Sequence, residues 1–177
     1  MVDNTAPALP PLTLILGGQR SGKSAYAEGL IGIASQAVYL ATGEALDREM
    51  AARIALHRKR RGDNWTTLEE PLDLAGALAK SDEQGRPVLI DSLAMWVANI
   101  LQADKNAIEE TLALVRALET IKSSVIIVSD EVGLGIIPNN ALARSFVDAL
   151  GTANQKIAAA AQRVIVVTAG LPQVLKG

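Results

Sequence analysis

The segment GGQRSGKS, Gly17 to Ser24, limits the folds open to this chain more than any other stretch. It fits the spacing G-x-x-x-x-G-K-[ST]. It stands between a short apolar run, LTLIL at 12–16, and a helical pattern at 23–33. Glycines let such a loop curl until several backbone N–H groups point at one anion, and the N-terminus of the next helix adds its positive end. The pattern predicts strand, tight loop and helix in that order. Lys23 then reaches the β- and γ-phosphates of a nucleotide, and the Ser24 hydroxyl is placed to ligate Mg²⁺. The competing reading is a glycine-rich turn with a solvated Lys23.

Further apolar runs at 37–41, 88–90, 125–129 and 164–168 are rich in Val and Ile, as strands covered on both faces require. Helical patterns lie between them, at 46–61, 72–80, 92–102, 107–122 and 140–162. This alternation predicts a P-loop NTPase-like α/β fold, a mostly parallel β-sheet flanked by helices on both faces. A length of 177 residues suits one domain, expected over 12–177. Residues 1–11, with Pro10 and Pro11, are expected to be a flexible lead-in lacking the cationic region of a signal peptide. No apolar run reaches about 18 residues, so no membrane span is expected. The absence of cysteine excludes disulfides, thiolate metal sites and a cysteine nucleophile, and fits a cytoplasmic setting. A net charge of −2 gives no general attraction for nucleic acid.

In folds of this kind ligands gather at the carboxyl ends of the strands. Thr42–Gly43–Glu44, Asp91 and the DEVGLG segment at 130–135 all fall at such points. Asp91, directly after the run PVLI, is expected to be the acidic partner of Ser24 at a magnesium ion. It also suits the N-cap of the helix beginning near Leu93, a role open equally to Ser92.

The single histidine, His57, lies inside the densest cationic block: Arg53 before it, then Arg58, Lys59, Arg60 and Arg61. On a helix, Leu46, Met50, Arg53 and Arg61 fall within about 40° of His57. One reading is a solvated helix end whose cations suit the negative end of the dipole. In the other, the arginines bind phosphate and hold the imidazole neutral, leaving it free to attack a phosphorus atom. A phosphate loop alone is shared by kinases, GTPases, motors and transporters. With no Asn-Lys-x-Asp segment and a short chain, a small-molecule kinase is the default.

The blocks LILGGQRSGKSAYAEGL, MAARIALHR, VLIDSLAMWVANIL, EVGLGIIPNNALAR and VVTAGLPQVLKG, in this order, resemble the bifunctional adenosylcobinamide kinase/adenosylcobinamide-phosphate guanylyltransferases of cobalamin synthesis. The similarity runs from about Leu12 to Gly177. It implies phosphorylation of adenosylcobinamide by ATP or GTP, then transfer of GMP from GTP through a GMP-histidine intermediate, with Mg²⁺ as cofactor. By this resemblance His57 is the nucleophile. The same resemblance makes nucleotide contacts of Gly17, Gly18, Gln19, Arg20, Ser21, Gly22, Lys23 and Ser24, of Ala41, Thr42 and Gly43, of Arg58, Lys59, Arg60 and Arg61, and of Glu69 and Asp91. It also implies a homo-oligomer, described for the family as a trimer. Three positions depart from the pattern: Asp130 stands where relatives have Asn, Asp91 where some have Glu, and Gln19 where Ala is common. The changed charge leaves Asp130, with its neighbour Glu131, open to a metal or substrate role.

Overall fold

The computed structural model describes residues 9–32, 36–43, 64–82 and 85–177. In chain order the elements are β1 (Leu12–Gly17), α1 (Lys23–Ile31), β2 (Ala37–Ala41), β3 (Trp65–Glu69), α2 (Leu74–Asp82) and β4 (Val88–Asp91). They continue with α3 (Leu93–Gln102), α4 (Ala107–Thr120), β5 (Val125–Asp130), α5 (Ala141–Ala160), β6 (Arg163–Thr168) and β7 (Leu171–Lys176). The strands form a seven-stranded sheet in the order β3-β2-β4-β5-β1-β6-β7. Six run parallel and β7 closes one edge antiparallel to β6. The mostly parallel α/β sheet expected from the alternation of patterns is thus present.

Its inner strands are buried on both faces, which is why they read as continuous apolar runs. On one face Ile15, Tyr39, Leu89, Ile126, Val128 and Ile165 pack with Ala27 and Ile31 of α1. On the other, Leu14, Leu40, Ile90 and Ile127 meet the apolar sides of α2, α3, α4 and α5. The strongly apolar segment LAMWVANIL packs within the domain as α3. Trp96 is buried there, and its indole N–H donates to the Leu72 carbonyl at 2.8 Å.

Two strands escaped the sequence pattern. β3, WTTLE, is a half-exposed edge strand with no continuous apolar run. β7, LPQVLK, is exposed throughout and contains Pro172, which an edge strand tolerates and a central one does not. The helix of 72–80 begins later, at Leu74. Glu70 Oε1 accepts from the Leu72 and Asp73 N–H groups, and Asp73 Oδ1 accepts from Gly76 N–H, so these two acids shape the turn entering α2. The end of the expected lead-in joins the fold: the Pro11 carbonyl accepts from Val125 N–H and the Leu9 carbonyl from Ser124 Oγ. The helix expected over 46–61, and with it His57, Arg58, Lys59, Arg60 and Arg61, lies outside the described residues.

Candidate nucleotide site

β1 ends in the glycine-rich loop and α1 begins at Lys23, as the motif requires. A Cβ on Gly17 would stand 2.5 Å from Ser21 Oγ and 2.6 Å from the Val167 carbonyl oxygen, so no larger residue fits that turn. Gly22 sits at φ 95°, in the left-handed region open chiefly to glycine. The loop is tied on both sides. Glu131 N–H donates to the Gly17 carbonyl at 3.1 Å, and Gly170 N–H, in the turn between β6 and β7, donates to Ser21 O at 2.8 Å. No side chain caps the first turn of α1. Its positive end is therefore directed at the loop, where an anion is favoured.

Lys23 is nearly buried, at 8% exposure. Its Nζ donates to the Gly18 carbonyl at 3.1 Å and lies 2.5 Å from Asp130 Oδ1. Asp130 ends β5, directly opposite Gly17 in the parallel register. The Asn154 amide holds this strand end: its Nδ2 donates to the Asp130 carbonyl at 3.1 Å, and its Oδ1 accepts from Ser129 Oγ at 2.6 Å. Pairing of Asp130 with the loop lysine was legible only as an unexplained acid in the sequence, since the two residues meet through tertiary structure.

Asp91 ends β4, two strands from β1, and Tyr39 Oη donates to its Oδ2 at 3.1 Å. The N-cap of α3 is Ser92, whose Oγ accepts from Met95 N–H at 3.3 Å. The two sequence readings of Asp91 thereby separate: the capping role belongs to its neighbour. Thr42 is fully buried. Its Oγ1 accepts from Ser92 N–H at 2.9 Å and donates to the Ser92 carbonyl at 2.7 Å. That hydroxyl is committed to fastening the end of β2 to the end of β4. The Thr42 carbonyl accepts from Asn99 Nδ2 at 2.8 Å.

All the sequence-predicted residues that are described lie along one rim of the sheet. Adjacent strands stand roughly 4.8 Å apart, which puts Asp91 roughly 10 Å, Ala41 roughly 14 Å and Glu69 roughly 19 Å from Gly17. The rim brings together the loop, Lys23, Ser24 and Asp130, with Asp91 next. Ala41, Thr42, Gly43 and Glu69 form its far end, Glu69 exposed on β3.

For magnesium the donor chemistry fits. Ser24 and Asp91 supply hard oxygen ligands, and Mg²⁺ commonly takes only one or two carboxylates, completing its shell with water and substrate phosphates. Among the described residues no cluster of three or more acids or histidines offers an all-protein cage.

Sheet, loop and loop lysine define a P-loop nucleotide-binding α/β protein. The flagellar accessory protein FlaH from Methanocaldococcus jannaschii has a similar fold, with a TM-score of 0.54 and 14% identity over 95% of this chain and 79% of that one. The family model described as cobinamide kinase / cobinamide phosphate guanyltransferase matches residues 13–175. The bifunctional adenosylcobalamin biosynthesis protein CobP of Pseudomonas aeruginosa is 47% identical over 167 residues, covering 93% of this chain and 96% of the relative. The bifunctional protein CobU of Escherichia coli is 38% identical over 175 residues, 90% of this chain and 97% of the relative. The chain belongs to the cobinamide kinase / cobinamide phosphate guanyltransferase family and is an enzyme.

Proposed function

We propose that this enzyme phosphorylates the hydroxyl of adenosylcobinamide with ATP or GTP. It then transfers GMP from GTP to that phosphate, giving adenosylcobinamide-GDP and pyrophosphate. The observation that carries the reading is the near-buried Lys23 inside a tightly folded phosphate loop, in a chain of this family. Gly17 to Ser24 bind the triphosphate through backbone N–H groups, and the Lys23 ammonium meets the charge that grows on the leaving pyrophosphate. Ser24 and Asp91 would hold a magnesium ion, which would supply positive charge to the phosphates.

In the second reaction His57 Nε2 attacks the α-phosphorus of GTP. A P–N bond forms, the bond to the bridging oxygen breaks, and pyrophosphate leaves with that electron pair. An oxygen of the cobinamide phosphate then displaces the imidazole. Arg58, Lys59, Arg60 and Arg61 bind the phosphates and favour the neutral imidazole. Ala41, Thr42, Gly43, Glu69 and Asp91 complete the nucleotide site along the rim.

Incubation with GTP labelled at the α-phosphate tests the covalent step. Wild-type protein is expected to acquire an acid-labile, base-stable label, and His57→Ala to acquire none. Wild-type protein that phosphorylates cobinamide yet never acquires the label would be a plain kinase. No described helix is long and apolar enough to cross a membrane. We place the enzyme in the cytoplasm as a homo-oligomer, a trimer by the family resemblance, with adenosylcobinamide and nucleotides as its small-molecule partners.

A further inference from the structure

The lysine of a phosphate loop serves by meeting phosphate, yet Lys23 already has two partners. Its ammonium carries three donors. One is given to the Gly18 carbonyl and the charge is matched by Asp130 at 2.5 Å. The pair is largely shielded, with side-chain exposures of 10% for Lys23 and 23% for Asp130. A partly buried pair of this kind is not diluted by solvent as a surface pair is. The carboxylate has little freedom to follow the lysine. Its backbone is fixed by pairing with β1 and by the Asn154 amide, which is itself held by Ser129.

We infer that Asp130 is a positioning residue that holds Lys23 back from incoming phosphate, so that nucleotide binding has to break this ion pair. The inference rests on the reading of 17–24 as the phosphate site. Two consequences oppose binding. Lys23 competent for phosphate is only a fraction of the population, which weakens apparent affinity in proportion. Once Lys23 leaves, the Asp130 carboxylate faces the phosphates as an uncompensated negative charge. Asp130 thus sets the affinity threshold of the loop and makes binding depend on whatever else neutralises that carboxylate.

The test uses the full chain in EDTA, so that no divalent cation masks the carboxylate. Binding of GTP and of inorganic pyrophosphate is measured by calorimetry for wild type, Asp130→Asn and Asp130→Ala, with thermal melts as a control for folding. Both variants are expected to bind both ligands more tightly, by about tenfold. A merely structural role for Asp130 does not produce a gain in affinity. In the nucleotide-free protein, the ¹H–¹⁵N signal of the Lys23 ammonium is expected to be visible, to be weakened in Asp130→Asn, and to move to a new position on adding GTP as phosphate replaces the carboxylate. Folded variants that bind as wild type does, or more weakly, overturn the inference, as does a Lys23 signal whose position is unchanged when GTP binds. Lys23→Ala separates the two readings. If it binds pyrophosphate as well as wild type does, the phosphate-site reading falls and this inference with it. If it loses binding while Asp130→Asn gains none, only the inference falls.

Discussion

Thr42 shows how a residue can belong to a site without offering it a functional group. Its position after a strand made it a candidate nucleotide contact, but its hydroxyl is fully buried and bonded twice to the backbone of Ser92. Thr42→Val keeps the shape and leaves the Ser92 N–H and carbonyl without that partner. A buried unpaired polar group costs about 1–3 kcal/mol. Urea unfolding is expected to show a loss of that order, and Thr42→Ser to recover most of it. Equal stability of Val and Thr at this position would mean the clamp contributes nothing. Lys23 and Asp130 make the complementary case. The sequence marks the lysine by its motif and the aspartate only by its odd charge, while the contact between them spans more than a hundred residues.

Among the elements, α2 ends on an interaction that ties it to the entry of β5. Asp82 Oδ1 accepts from Ser123 N–H at 2.8 Å and from Lys122 N–H at 3.1 Å. The Ser123 backbone bond, favouring the ionised carboxylate, is the main cause that holds the Asp82 pKa below its ordinary value, with the Lys122 charge contributing and desolvation opposing. The folded-state pKa lies below the unfolded one. The stabilisation is therefore present above the unfolded pKa and lost as pH falls through the folded one. Asp82→Asn is expected to lower the denaturant midpoint near neutrality, with the gap from wild type closing as pH falls through the folded-state pKa. A gap that persists in acid would show that charge is not its source. The same segment shows why element ends were hard to read. The apolar period of 107–122 continues past Thr120, but the N–H groups of Lys122 and Ser123 are claimed by an acid from another helix.

At the scale of the whole molecule, the described surface keeps apolar residues that the fold does not cover. Leu134, Ile136 and Ile137 are 91%, 97% and 78% exposed in the segment leaving β5, and Leu171, Val174 and Leu175 are exposed along the edge strand β7. Exposed apolar groupings of this sort mark contact surfaces, and an uncovered edge strand invites pairing. For the proposed homo-oligomer, sedimentation equilibrium should give a multiple of 18.6 kDa. Combined Ile136→Glu and Ile137→Glu substitution should lower that mass, whereas a wild-type mass of one chain removes the proposal. The central strands, the phosphate loop and the alternation that makes the sheet parallel were determined by the sequence alone, because burial on both faces and backbone curvature write local, periodic signals. Strands β3 and β7 left no such signal, being half or wholly exposed at the edges. Only the tertiary structure decided that Ser92 rather than Asp91 caps α3, that Thr42 faces inward, and that Lys23 rests against Asp130. Those choices depend on which strand ends lie side by side, and strand order is a property of the packed sheet that no short stretch of chain encodes.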